Sequence, residues 1–368
     1  MKLELINISK SYTGFKLGPI NIKVTGAVIH VLMGATGSGK STLLNIVTGL
    51  VKPDTGKVLI DGENITNKPI ESRKIGYCFQ KPCLFPHLNV YKNLVFGLSK
   101  SDRNNMATHL EKLVQSFELN HLLERNTEDL SGGEMQKVSL ARMLVLKPKI
   151  MLLDEPLAHL DSLTKNKLRM DIRNILVEEK VLALYVTHFK EDVYALADNV
   201  SIIQWGQLVR TDTLSTFFSR GVKNHSTFYH YNPDIFESNH NYIEGRVIET
   251  KSGTSVFMTG DFKIEIMGEF PLGSVVGIMV KPEDVIISKE QVKTSARNSI
   301  KTVVAGIIKS PTENSSVVEV YLDIHSDSYL RSKITVESKN ELEISKGDTV
   351  YAIFKATAPE IIRKEILK

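Results

Sequence analysis

The chain has 368 residues, 42% hydrophobic and 24% charged, with a formal net charge of +4. At about 100–200 residues per domain, that length predicts two or three domains with sizeable cores, and the composition excludes a disordered chain. The longest apolar runs, such as residues 181–186, fall far short of the ~20 residues that cross a bilayer, and residues 1–5 carry no signal-peptide apolar region. Two cysteines, Cys78 and Cys83, cannot form a disulfide framework; they read as small core residues in a reducing compartment. No basic block implies a nucleic-acid partner. A soluble, intracellular, multidomain protein is expected.

From residue 3 to about 220, short apolar runs alternate with helical patterns, which predicts an α/β fold on a largely parallel sheet. Residues 28–33 read as a buried strand. A Gly-rich turn follows, then a helix marked by Leu43, Leu44, Ile46, Val47 and Leu50 at helical spacing. Turn signals at residues 53–56 and 61–62 flank residues 57–60 and predict a small antiparallel insertion. Met106, Leu110, Leu113, Val114 and Phe117 mark a second amphipathic helix and Leu168, Ile172, Ile175 and Leu176 a third, and residues 137–146 between them read as a helical run. Residues 223–241, rich in Asn, His and Tyr and without a period, read as a linker. Beyond residue 242, short β-branched runs with Gly turns predict an all-β, barrel-like module. Its stretches 242–290 and 294–362 have the lengths of two sub-barrels.

Gly34-Ala35-Thr36-Gly37-Ser38-Gly39-Lys40-Ser41 fits G-x-x-x-x-G-K-[ST] at every fixed position and joins the buried strand to the first helix. A polyphosphate needs to be wrapped by backbone N–H groups and a helix N-terminus, and side chains at the glycines would obstruct that wrap. Lys40 is assigned to the β- and γ-phosphates and Ser41 to Mg²⁺, with Thr42 completing the nucleotide-binding run. The apolar run 150–153 ends in Asp154-Glu155-Pro156, which places two carboxylates at the carboxyl edge of a parallel sheet. Asp154 suits Mg²⁺ and Glu155 suits polarising the attacking water. Ser131-Gly132-Gly133-Glu134 reads as a capping box. Two glycines in the first helical turn cost about 1 kcal/mol each relative to Ala, and close backbone approach to a phosphate supplies a reason for them. Both readings stand together.

Residues 130–136 (Leu-Ser-Gly-Gly-Glu-Met-Gln) resemble the signature of ATP-binding-cassette ATPases, and further motifs follow in that family's order. Gln80 resembles the Q-loop glutamine that senses γ-phosphate and Mg²⁺. Residues 157–161 resemble the D-loop and bring in Asp161, with His159 where Ser is usual. Thr187-His188 resembles the switch histidine, and Tyr12 is placed like the aromatic that stacks on adenine. The resemblance implies a homodimer with two shared ATP sites. Lys40, Ser41, Gln80, Asp154, Glu155 and His188 act from one copy, and Ser131, Gly132 and Gly133 from the other. Residues 81–90 resemble the surface on which importer ATPases receive a helix of the membrane subunit; the other reading is a locally packed loop.

Residues 280–285 (Val-Lys-Pro-Glu-Asp-Val) resemble the segment that closes the β-rich accessory domain of maltose, sulfate and molybdate importers. Residues 294–298 (Thr-Ser-Ala-Arg-Asn) and 354–357 (Phe-Lys-Ala-Thr) resemble the two ends of a molybdopterin-type (Mop/TOBE) domain, which binds molybdate or tungstate. Ser295, Ala296, Arg297, Lys355 and Ala356 then supply the hydroxyl, N–H and cationic donors that a dianion requires, with no carboxylate nearby. The other reading leaves Arg297 and Lys355 as solvated charges on a dimerisation module. The expected class is an α/β P-loop ABC ATPase domain (1–222), followed by an all-β, OB-like regulatory domain (242–368). The expected activity is energising an importer of molybdate or tungstate with MgATP from the cytoplasmic face of the membrane. Its partners are permease subunits and, indirectly, an extracytoplasmic oxyanion-binding protein; the alternative cargoes are sulfate, a sugar or a polyamine.

Overall fold

The computed structural model describes residues 1–219, 240–309, 316–325 and 328–365. The expected linker at 223–241 lies, up to residue 239, outside them. The chain divides into two compact units, Met1–Asp212 and Thr213–Lys368, so the division falls ten residues earlier than the expected boundary after 222.

The first unit begins with β1 (Lys2–Tyr12), β2 (Phe15–Thr25), β3 (Ile29–Met33), α1 (Lys40–Thr48), β4 (Thr55–Ile60), β5 (Glu63–Asn64) and β6 (Ile75–Cys78). Then come α2 (Val90–Leu94), α3 (Lys100–Asn105), α4 (Ala107–Ser116), α5 (Gly132–Leu144), β7 (Ile150–Asp154) and α6 (Ser162–Glu178). It closes with β8 (Leu182–Thr187), α7 (Lys190–Leu196), β9 (Asn199–Gln204) and β10 (Gln207–Thr213). Two sheets result, one ordered β2-β1-β4-β5 and one ordered β10-β9-β3-β8-β7-β6.

The four neighbouring pairs among β9, β3, β8, β7 and β6 are parallel, as the continuous apolar runs predict. Ile150–Leu153 of β7 and all of β8 are buried, because both faces of this sheet are covered. The predicted insertion is β4, paired antiparallel to β1 and β5. Helix α1 ends at Thr48 with Gly49 in the left-handed region, so Leu50 lies beyond the helix and is half exposed rather than on its core face. Leu168, Ile172, Ile175 and Leu176 form the buried stripe of α6.

The second unit starts with α8 (Leu214–Ser219) and is otherwise dominated by strands. These are β11 (Asn241–Lys251), β12 (Thr254–Thr259), β13 (Phe262–Met267), β14 (Val275–Val280), β15 (Ile286–Ser288) and β16 (Asn298–Lys309). The chain continues through β17 (Val317–His325), β18 (Ser328–Thr335), α9 (Val336–Glu341), β19 (Thr349–Phe354) and β20 (Glu360–Glu365). One sheet is ordered β13-β12-β11-β14-β20 and the other β15-β19-β16-β17-β18. The stretches 242–290 and 294–362 therefore do not close separately. β15 leaves the first stretch to pair with β19, while β20, which runs past the second stretch, pairs with β14. One continuous apolar core, from Ile243 and Phe257 to Ala352 and Phe354, serves both sheets. The segment singled out at residues 280–285 ends β14 and forms the turn Pro282–Asp284 that leads into β15.

Candidate active site

The phosphate-loop motif spans the connection from β3 to α1. Gly34 is required by packing, since a Cβ there would lie 2.1 Å from the Ile203 carbonyl oxygen of β9. Gly39 combines φ +103 with a would-be Cβ 2.9 Å from the Phe15 ring. Lys40 folds back over its own loop, donating to the carbonyls of Gly34 (2.7 Å) and Ala35 (2.9 Å). Burial lowers its pKa, and the nearby Glu155 and Asp154 carboxylates work against that shift. Gly39 offers no side-chain cap to α1, and no acidic residue occupies its first turn. By contrast, Asn89, Ser131 and Asp161 cap α2, α5 and α6 with their side chains. The uncapped N–H groups and positive end of α1 suit an anion.

At the end of β7, Asp154 accepts from Ser41 Oγ (3.0 Å) through Oδ1 and from Tyr77 OH (3.3 Å) through Oδ2. Burial raises the Asp154 pKa above the usual carboxylate range despite those two donors. A desolvated carboxylate beside a hydroxyl at a phosphate loop fits a divalent cation, with Ser41 and Asp154 as the residues that would hold it. Glu155 stands in the left-handed region at φ 44, its N–H donating to the Val186 carbonyl at 3.0 Å, which ties it to β8. From there its Oε1 lies 3.0 Å from His188 Nδ1. A carboxylate only accepts, so Nδ1 carries the hydrogen. Lys40, Ser41, Asp154, Glu155 and His188 are thus brought together at the carboxyl edge of the parallel sheet.

The other expected nucleotide residues are placed around that edge. Gln80 is exposed just past β6, and Tyr12 is 47% exposed at the end of β1 with Lys10 Nζ 5.8 Å from its ring centroid. Ser131 and Glu134 form the capping box: Ser131 N–H and Oγ both reach Glu134 Oε2 at 2.7 Å, and the Glu134 N–H donates to Ser131 Oγ at 3.3 Å. The two glycines have a reason within the chain as well. A Cβ on Gly133 would lie 2.7 Å from Thr164 Cγ2, and one on Gly132 3.3 Å from Leu160 Cδ2. Asp161 accepts from the Thr164 N–H at 3.0 Å and so caps α6.

Residues 81–90 form a packed loop with an apolar rim. Asn93 Nδ2 donates to the carbonyls of Phe85, Leu88 and Asn89, each at 3.1 Å, and Arg142 donates to the Cys83 carbonyl at 2.6 Å. Phe79, Tyr91 and Phe96 remain exposed beside it. Cys78 is buried, with its thiol pushed up to about 12 by desolvation, whereas Cys83 is exposed and is not the core residue expected of it. The loop turns outward at Cys83, leaving Gln136 to bond Cys78 Sγ at 3.1 Å.

In the second unit, the two expected ends do meet. Asn298 pairs with Phe354, and Ala356 accepts from the Met267 N–H at 3.3 Å. Ser295, Arg297 and Lys355 are exposed, and Ala356 is buried. The requirement for no carboxylate is not met, because Arg297 donates to Glu265 Oε1 of β13 at 2.7 Å. A cleft of about 550 Å³ opens elsewhere on the unit, lined by Gly306, Tyr329, Lys339 and Lys346 among others, and none of Ser295, Ala296, Arg297, Lys355 and Ala356 lines it.

Three contributors escaped the sequence reading. Tyr77, absent from the expected site residues, donates its hydroxyl to Asp154. The Trp205-Gly206 turn sends its Gly206 N–H to the Ser38 carbonyl at 3.1 Å and so props the phosphate loop, a role signalled only by its turn composition. Asp54 accepts from Lys10 Nζ and the Ser11 N–H, both at 2.7 Å, steadying the strand end that carries Tyr12.

The chain is similar to known proteins over nearly its whole length. The ABC transporter family pattern matches residues 17–158, and the TOBE domain pattern matches residues 294–358. A molybdate/tungstate import ATP-binding protein of Pyrococcus horikoshii is 37% identical, over 97% of this chain and 98% of its own. A sulfate/thiosulfate import ATP-binding protein of Bacillus cereus is 32% identical, over 95% and 96%. A bacterial ABC transporter cassette solved as a dimer superposes with a TM-score of 0.51 at 28% identity, over 58% of this chain and 98% of that one.

Proposed function

The chain belongs to the ATP-binding subunits of ABC importers, ATPases coupled to transport, and from that footing we propose that its cargo is molybdate or tungstate. The observation that carries this reading is the meeting of residues 294–298 with 354–356 in a TOBE unit, supported by full-length similarity to a molybdate/tungstate import protein. Ser295, the Ala296 backbone, Arg297, Lys355 and Ala356 would receive the oxyanion, which competes with Glu265 for the Arg297 guanidinium.

ATP would lie over α1, with its phosphates on the loop from Gly34 to Thr42 and its adenine on Tyr12. Mg²⁺, held by Ser41 and Asp154 with Gln80 reaching in, would neutralise charge on the β- and γ-phosphate oxygens. Glu155 polarises the attacking water, and His188, fixed on Glu155, faces the γ-phosphate. Ser131, Gly132 and Gly133, with Asp161 nearby, complete the site of a second copy, so a homodimer encloses two nucleotides. No helix among the described residues is long and apolar enough to cross a membrane. Separate permease subunits would therefore provide the path, docking on residues 81–90 from the cytoplasmic side, with an extracytoplasmic binding protein delivering the oxyanion. An oxyanion held by the ATPase subunit reports the internal supply. Its binding would favour separated ATPase domains and slow hydrolysis; a tenfold shift in that equilibrium needs about 1.4 kcal/mol, within reach of one charge-assisted hydrogen bond.

Calorimetry of the full-length chain with molybdate, tungstate and sulfate tests the cargo. Molybdate or tungstate should bind, Arg297→Ala should abolish binding, and Glu265→Gln should tighten it. Binding of sulfate alone would move the cargo to sulfate. No binding of any oxyanion would leave the second unit structural.

A further inference from the structure

The turn that carries His188 is held on both sides through one carboxylate. Asp192 on α7 is 1% exposed and accepts from Arg169 Nε of α6 (2.6 Å), from Thr187 Oγ1 (2.7 Å) and from Tyr185 OH (3.2 Å). Thr187 Oγ1 in turn accepts from the Phe189 N–H at 3.0 Å. The residues before and after the histidine thus share one hydroxyl, and that hydroxyl answers to Asp192. Two further contacts fix the turn: the Phe189 ring lies 4.0 Å from the His188 ring, and Lys165 Nζ, also on α6, lies 4.4 Å from the Phe189 centroid. Beyond the turn, His188 Nδ1 reaches Glu155 Oε1 at 3.0 Å.

We propose that Asp192, fixed by Arg169, is a positioning residue for ATP hydrolysis: through Thr187 and the Phe189 N–H it holds the His188 ring against Glu155. The inference rests on the role given to His188 above. A buried carboxylate held by a guanidinium and two hydroxyls has both oxygens engaged, so it offers the turn one seat rather than several. Without the Thr187 hydroxyl, the Phe189 N–H loses its acceptor and the turn is free to re-seat. A displacement of about 1 Å at a reacting centre costs on the order of 10²-fold in rate.

Thr187→Val keeps the β-branched shape and removes the hydroxyl, while Thr187→Ser keeps the hydroxyl. Steady-state hydrolysis by the full-length chain should show kcat falling ~10–100-fold for Thr187→Val, with KM for ATP within about 2-fold and the same affinity for a fluorescent ATP analogue. Thr187→Ser should stay within about 3-fold of wild type. In a His188→Ala background, Thr187→Val should cost nothing further, a dependence that a merely structural role would not show. A second arm replaces the ion pair by apolar residues, Arg169→Met with Asp192→Leu, an exchange that buried pairs often tolerate; the same loss of kcat and the same dependence on His188 are expected. Wild-type kcat in Thr187→Val, or an equal loss with and without His188, overturns the inference while leaving His188 in its role. A His188→Ala chain that hydrolyses at the wild-type rate removes that role, and the inference with it.

Discussion

Gly133→Ala sets packing and chemistry against each other at one methyl group. The added Cβ would lie 2.7 Å from Thr164 Cγ2, roughly 1 Å inside ordinary carbon–carbon contact. The Thr164 backbone cannot simply back away, because its N–H is held by Asp161 in the cap of α6. Overpacking of this kind costs about 1–3 kcal/mol. Replacing a helical glycine by alanine returns up to about 1 kcal/mol. The net loss of ~1 kcal/mol lowers the melting temperature of a unit spanning Met1–Asp212 by about 2–4 °C. Thr164→Ser removes the obstructing methyl, so the double variant should melt within about 1 °C of wild type. Scanning calorimetry reads this directly, and ATP hydrolysis by the same three proteins reads the other half. If Gly133 also approaches nucleotide on a second copy, the double variant recovers its melting temperature and not its rate. Recovery of both assigns the glycine to packing alone. A Gly133→Ala chain that melts at or above wild type refutes the packing argument.

Other expectations follow from single groups. Glu155→Gln should bind ATP and hydrolyse it 10²–10⁴-fold more slowly, the usual loss for one general base; a rate within a few-fold of wild type would remove Glu155 from that role. Folding raises the Asp154 pKa, so the native state binds the proton more tightly than the unfolded chain; stability falls as pH rises from the unfolded to the folded pKa, and the cost is fully present above the folded pKa. Asp154→Asn should therefore raise the melting temperature of the nucleotide-free chain by a few degrees at pH 7, by less at pH 4, while abolishing Mg²⁺-dependent hydrolysis; a lower melting temperature at pH 7 would contradict the assignment. Under native conditions one equivalent of iodoacetamide should react, at Cys83, with Cys78 modified only on unfolding, since Cys78 is buried with its thiol pushed up to about 12. Two equivalents at equal rates would refute that difference.

What could be read from sequence follows the range of the forces involved. The phosphate loop is contiguous, and its requirements are local: glycines where backbone or ring atoms crowd, and a helix start without a capping side chain. The capping box at Ser131 and the apolar stripe of α6 are equally local, and both match the structure. The exchange of β15 and β20 between the two sheets of the second unit was illegible, because β15 pairs with a strand more than sixty residues further on and nothing in its three residues names that partner. Glu265 beside Arg297 is hidden for the same reason: Glu265 lies on β13, and Arg297 stands just before β16, more than thirty residues further on. The role of Tyr77 was nearer to hand, since it stands on the strand neighbouring β7, but only the register places its hydroxyl beside Asp154.

One helix links much of what the sequence showed in pieces. Thr164 in the first turn of α6, and Leu160 just before that helix, crowd the space where a Cβ on the signature glycines would lie. Its next turns hold the histidine turn through Lys165 over Phe189 and Arg169 on Asp192. If the signature serves nucleotide on a second copy and His188 serves nucleotide on its own, α6 is the rigid element common to both half-sites. A 17-residue helix pinned at its start by an Asp161 cap and buried along one stripe moves as a body, not residue by residue. Closure of a second copy onto Gly132 and Gly133 would then press on the same helix that seats His188 against Glu155. Hydrolysis before closure would be slow for a geometric reason, and no separate gate is needed to couple the two sites.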